Sequence, residues 1–186
     1  MEIMMMSKEK SEARPLFSGF RILRDVKKML LAPGEFYRNL PEKHGMMDAF
    51  LFLLSCTMIF SILAAFFASE QKMLFALIYF SNAALMPVFM SLALYVAALF
   101  ICKGVFAYGT LFRVATYANV TCLLAWIPGM AWATGIWSFY LMGLGMIKAG
   151  RIGKWHALSV ILAGGGLMLL LIQIIYPVLG GLKNGS

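Results

Sequence analysis

Uncharged, mostly apolar residues fill 49–69 between Asp48 and Glu70, then 73–102 between Lys72 and Lys103, then 114–147 between Arg113 and Lys148. A transmembrane helix needs about 20 predominantly apolar residues. The first run, of 21 residues, therefore predicts one span over 49–69, and the second, of 30, predicts one long helix over 74–102 that is tilted or kinked at Pro87. The third run has 34 residues with the turn signal WIPG at 126–129 in its middle. Its two halves are completed by borrowing from their neighbours, which predicts a third helix over 106–127 carrying Arg113 inside it and a fourth over 130–147. A fifth covers 157–176 and is expected to stop at Pro177 and the pair Gly180 and Gly181. The expected fold is all-α: an integral membrane bundle of five transmembrane helices within 48–178, with 179–186 as an outer tail.

A different pattern precedes the first span. In FRILRDVKKMLL, residues 20–31, Phe20, Leu23, Val26, Met29 and Leu30 recur at helical spacing, while Arg21, Arg24, Lys27 and Lys28 fall largely on the other side. That is a basic amphipathic helix, expected to end at Pro33 and Gly34. Attraction of basic residues to anionic cytoplasmic lipid is worth about 1 kcal/mol each, so docking at the membrane surface is one expectation. The other is that the same region caps the cytoplasmic ends of the bundle. In EFYRNLPEKHG, Phe36, Tyr37 and Leu40 form a second short interfacial patch, completing a cytoplasmic segment over 15–47. Residues 1–14, with the run SKEKSEAR, are expected to be a solvated, disordered tail.

Composition agrees with a membrane protein: 62% of residues are hydrophobic and 13% charged, against about a quarter charged in soluble domains. No apolar core follows a basic start early enough for a cleaved signal, so the first span is expected to stay in the chain. Charge also discriminates five spans from four. Five spans put 14 Lys and Arg on one side and 2 on the other, whereas a single crossing by 114–147 gives 12 against 4. The positive-inside rule prefers the first, with the N-terminus cytoplasmic and the C-terminus outside, in the inner membrane if the cell is prokaryotic. Anionic lipid headgroups are the partner this charge implies. No nucleic acid is implied.

The candidate chemistry is sparse. In FRVATYANV, residues 112–120, Arg113 lies roughly 10 Å along a helix from its expected start, within snorkelling reach of the headgroups. Thr116 and Tyr117, at i+3 and i+4, share its face and are expected to orient it. No Asp or Glu occurs after Glu70, so a carboxylate partner must be Asp48, Glu35 or Glu42, with a lipid phosphate competing. Arg113, Tyr117, Asp48 and Asn119 are thus the candidate intramembrane polar site, with a simple anchor at the membrane rim as the plainer reading of Arg113. The missing acids argue against proton- or cation-coupled carriers and against intramembrane hydrolysis by paired acids. His44 and His156 lie outside the predicted spans, His156 beside Trp155, and neither has the partners of a catalytic base. Cys56, Cys102 and Cys122 have no metal-type spacing, and the methionines serve as packing, so no metal or cofactor is expected. Asn82, Asn119, Thr57, Thr121 and Gln173 suit hydrogen bonds between helices. AGGG at 163–166 and the pairs Ala93 with Ala97, Ala131 with Gly135 and Ala149 with Gly153 suit close packing, within one bundle or in a homo-oligomer.

The segments MLLAPGEFYRNLP at 29–41, FRVATYANV at 112–120, WIPG at 126–129, IWSFYLMGLG at 136–145 and KWHALSVIL at 154–162 together resemble the Yip family of Ypt- and Rab-interacting membrane proteins, particularly its shorter prokaryotic-type members. The likeness covers roughly 28–178 and is carried by weak hydrophobic motifs with no catalytic signature. It implies five α-helical spans and a cytoplasmic N-terminus. In eukaryotic relatives it also implies Rab binding and a part in trafficking or membrane shaping, but the DLYGP-type motif of their cytoplasmic region is missing here.

Two functions follow as expectations. The first is a non-enzymatic scaffold whose basic amphipathic helix engages anionic lipid, through Arg21, Arg24, Lys27 and Lys28, or a protein partner. The alternative is a small transporter or channel in which Arg113, Tyr117, Asn82 and Asn119 line a passage for a polar or anionic solute.

Overall fold

The computed structural model describes residues 19–38, 40, 45–67, 71–127 and 129–183, with side chains placed within 23–174. The expected tail at 1–14 lies outside the described residues, as do Glu42, His44 and Glu70. Two short helices, α1 (Gly19–Leu31) and α2 (Pro33–Arg38), come first. Then follow α3 (Met46–Phe66), α4 (Lys72–Ile101) and α5 (Tyr108–Ala118), the last continued by a 3-10 turn at Asn119–Thr121 and a single turn α6 (Cys122–Ala125). Helices α7 (Ala131–Gly150) and α8 (Lys154–Lys183) complete the chain. Among the described residues every regular element is helical.

Three of these helices are long and apolar enough to cross a membrane: Met46–Phe66, Lys72–Ile101 and, within α8, Lys154–Ile174. Their outer surfaces carry large apolar side chains, among them Ile62 on α3, Leu77 and Phe89 on α4, and Leu162 and Leu169 on α8, all exposed. Contiguous apolar surface on this scale marks a face meant for lipid or a partner. The helical run over 108–125 is about 27 Å long at 1.5 Å per residue, and α7 about 30 Å, close to the thickness of a bilayer's hydrocarbon core.

Packing contacts fix which helix ends lie together. The Phe106 ring, just before α5, sits where a side chain on Gly150, at the end of α7, would overlap it. His156 of α8 shares a cavity wall with Lys103, in the loop after α4. At the other end Phe67, after α3, stacks on Trp126, after α6, with ring centroids 5.4 Å apart.

One sequence expectation holds here and two are corrected. The basic amphipathic helix ends at Leu31, just ahead of Pro33 as expected, and Pro33 then opens α2, since its fixed φ and missing N–H suit a first helical position. The third helix begins at Tyr108 and passes into a 3-10 turn at Asn119, instead of running unbroken over 106–127. The last helix does not stop at Pro177 but runs on to Lys183. A proline removes one backbone bond but need not terminate a helix. Pro87 shows the same within α4, which continues through it.

Candidate functional site at the basic end

Helix α2 is the keystone of this end. Phe36, Tyr37 and Leu40 are buried in the protein core and are not the interfacial patch their sequence suggested. The same apolar pattern serves lipid or protein burial, and here protein wins because α7 opens a slot for it. A Cβ on Gly145 would lie 2.7 Å from Val114 Cγ1 and 2.9 Å from the Tyr37 ring, so only a glycine lets Tyr37 reach Val114. There the Tyr37 hydroxyl donates to the Val114 carbonyl at 3.4 Å. Burial, followed by the influence of Tyr117, raises the Tyr37 phenol well above its ordinary 10.0, so it stays a neutral donor.

Rings extend this core. Phe36 meets Tyr37 edge-on at 5.8 Å and Tyr117 at 5.0 Å, and Tyr117 in turn meets Phe52 of α3 at 4.9 Å. Such pairs are worth about 0.5–1.5 kcal/mol each beyond area burial. The four rings tie α2, α3 and α5 together.

Each candidate intramembrane residue has a definite local setting. Arg113 is half-buried and turns back along its own helix, donating from Nε to the Gly109 carbonyl at 3.1 Å and from Nη2 to the Thr110 hydroxyl at 3.4 Å. These partners sit at i−4 and i−3 because helical side chains lean toward the N-terminus. The expected orientation by Thr116 is therefore corrected: its buried hydroxyl has no hydrogen-bond partner. Tyr117 is almost fully buried among rings. Asp48 accepts the Gly45 N–H at 3.1 Å, a capping bond that also places a negative charge at the positive end of α3.

Asn119 answers a need created elsewhere. Pro87 has no N–H to give the carbonyl four residues before it, that of Ala83. The Asn119 side-chain amide donates to that carbonyl at 3.3 Å, repairing α4 from α5. Sequence reading placed Asn119 with interhelical polar residues; counting back from Pro87 could have named the partner.

The solute passage gains no support from this packing. Tyr117 is occupied by its ring neighbours, Asn119 is bonded across to α4, and Asn82 lies exposed on the outer surface.

Charge is nonetheless concentrated at this end. On α1, Met29 is buried and Val26 and Leu30 are partly buried against the core, so this side docks on the bundle. Arg24, Lys27 and Lys28 are exposed, together with Leu23 and Leu31 at 75% and 73%. Arg21 belongs to the same helix, though its side chain lies outside the described residues. Exposed Lys103 and Arg151, from the loops between α4 and α5 and between α7 and α8, and Lys154, the first residue of α8, join them. Among the described residues no group of three or more His, Cys, Asp or Glu is placed to hold a metal. Sequence reading missed Gly145, Gly150 and Phe106 as packing determinants, although Gly145 falls inside the IWSFYLMGLG segment.

Gly164 bears out the expectation of close contact for the AGGG run, since its Cβ would come within 3.3 Å of the Leu94 backbone. Gly165 and Gly166 meet nothing within 4 Å. Ala93 and Ala97 are buried, whereas Ala131 is exposed and Gly135 meets no neighbour.

No curated protein and no solved structure matches the chain. The family model of the Yip1 domain matches residues 27–176, which begins inside α1 and ends inside α8. That interval holds the buried α2, the ring cluster and all three helices able to span a membrane, and the chain belongs to the Yip1 domain family of membrane proteins.

Proposed function

We propose that this protein is a non-enzymatic membrane scaffold that crosses the bilayer five times, with the N-terminus cytoplasmic and the C-terminus outside, and that organises lipid at its basic cytoplasmic face. The observation that carries the reading is the free side of α1. Leu23 and Leu31 stand exposed among Arg24, Lys27 and Lys28, while the opposite side of the helix is docked on the bundle. Apolar residues interleaved with flexible cations suit the headgroup boundary, where the former enter the acyl region and the latter reach phosphates. The segments over 108–125 and 131–150 supply the crossings beyond the three most apolar helices, and the 14-to-2 division of Lys and Arg supports the orientation.

The test uses the full-length protein with Cys56, Cys102 and Cys122 replaced and an environment-sensitive dye on Leu23→Cys. In vesicles containing anionic lipid the dye emission shifts to the blue relative to neutral vesicles, and Arg24→Gln/Lys27→Gln/Lys28→Gln removes the shift. Identical emission in both vesicles would falsify the lipid role of α1.

A further inference from the structure

The loop after α4 and the loop before α8 enclose an open cavity of about 500 Å³ at the basic end. Lys103 and His156 form its polar wall, and Ile101, Val105 and Ile152 its apolar one. We infer that this cavity is a binding site for one anionic phospholipid, with the phosphate held by Lys103 and His156 and the acyl chains leaving along the outside of α4 and α8.

Three observations carry this. The first is depth: the cavity lies beside the last turn of α4 and the first turn of α8, where apolar helix surface gives way to cationic loop. Phe100 is 83% exposed and Trp155 80% exposed at that level, and an exposed tryptophan there suits the headgroup zone. The second is charge. No Asp or Glu occurs from α4 onward, so neither loop nor either helix brings a carboxylate to neutralise Lys103, and Arg151 and Lys154 stand nearby in sequence with the same sign. A phosphodiester supplies the missing charge, and an apolar wall beside it suits the glycerol and first methylenes of a lipid better than a free anion. The third is backbone cost. Lys103 is held in the left-handed region at φ 49, followed by Gly104 at φ 81. A lysine rarely adopts that conformation, which occurs where surroundings impose it, often at ligand sites.

The site is separate from α1 but rests on the same assignment of the basic end to the headgroup layer. The experiment is native mass spectrometry of the full-length protein in detergent, titrated with phosphatidylglycerol and with phosphatidylcholine of the same chains. The wild type retains one phosphatidylglycerol in preference. Lys103→Asn/His156→Gln weakens that binding by about tenfold or more, as expected for removing two polar headgroup contacts. Asparagine tolerates the left-handed backbone, and both positions are exposed, so the variant keeps the fold. Val105→Trp fills the cavity without altering charge and also weakens retention. The Arg24, Lys27 and Lys28 triple variant leaves this lipid in place, so a defect confined to α1 and a defect here are told apart. Unchanged retention in either cavity variant, equal retention of phosphatidylcholine, or displacement by soluble glycerol phosphate overturns the proposal.

Discussion

Gly145 shows how a missing methyl group can decide a local structure. A hydrogen on its Cα, in place of any side chain, leaves room for both Val114 and Tyr37, neither of which can move far inside a packed core. Gly145→Ala is expected to cost about 1–3 kcal/mol, read as a lower unfolding temperature in detergent. Gly165→Ala, which meets open space, should leave the temperature unchanged or raise it. Tyr37 divides into two parts. Tyr37→Phe loses only a long hydrogen bond and should cost at most about 1 kcal/mol, while Tyr37→Ala empties a fully buried site and should cost about 3–5 kcal/mol. Because its folded pKa is raised, the neutral phenol's contribution is complete below 10.0 and is lost as pH rises above that value, where the unfolded tyrosine ionises and the folded one does not. Ultraviolet titration should therefore find a tyrosine that ionises only on alkaline unfolding and that Tyr37→Phe removes.

Between elements, the bond from Asn119 to the Ala83 carbonyl makes a sharper test, because its reason for existing is Pro87. Asn119→Ala should cost about 0.6–2 kcal/mol. Pro87→Ala restores the N–H that Ala83 lacks, so in that background the same change should cost much less, a coupling that a double-mutant cycle measures. This level also shows what could be foreseen. The long apolar runs made α3 and α4 legible to within a few residues, since twenty uncharged residues between charges admit few alternatives. The amphipathic α1 was equally plain. The cap was not, because burial of Phe36 and Tyr37 in protein or in lipid leaves the same periodicity, and only the slot at Gly145 chooses between them. Nor could the direction of Arg113 be foreseen, since i−4 and i+4 partners are equally close in spacing and side-chain lean breaks the tie.

For the molecule as a whole, the decisive property is that its ends differ. Cationic loops and α1 gather at one end, and the Phe67–Trp126 stack closes the other. A five-span path predicts that reporter tags before Leu16 and after Lys183 light up in opposite compartments, and that adding several lysines near Lys72 weakens the preference. Tags in one compartment would remove the odd number of crossings and with it the assignment of the cytoplasmic face.

The reach of Tyr37 has a consequence for biosynthesis. Its carbonyl partner lies 77 residues downstream, and the glycine that admits its ring later still. A ribosome delivers α2 first, yet the slot that admits the Tyr37 ring is complete only once α7 has emerged. The amino-terminal cap thus cannot seat fully before the seventh helix is made, and a nascent chain halted before Gly145 holds Tyr37 without the slot that admits its ring.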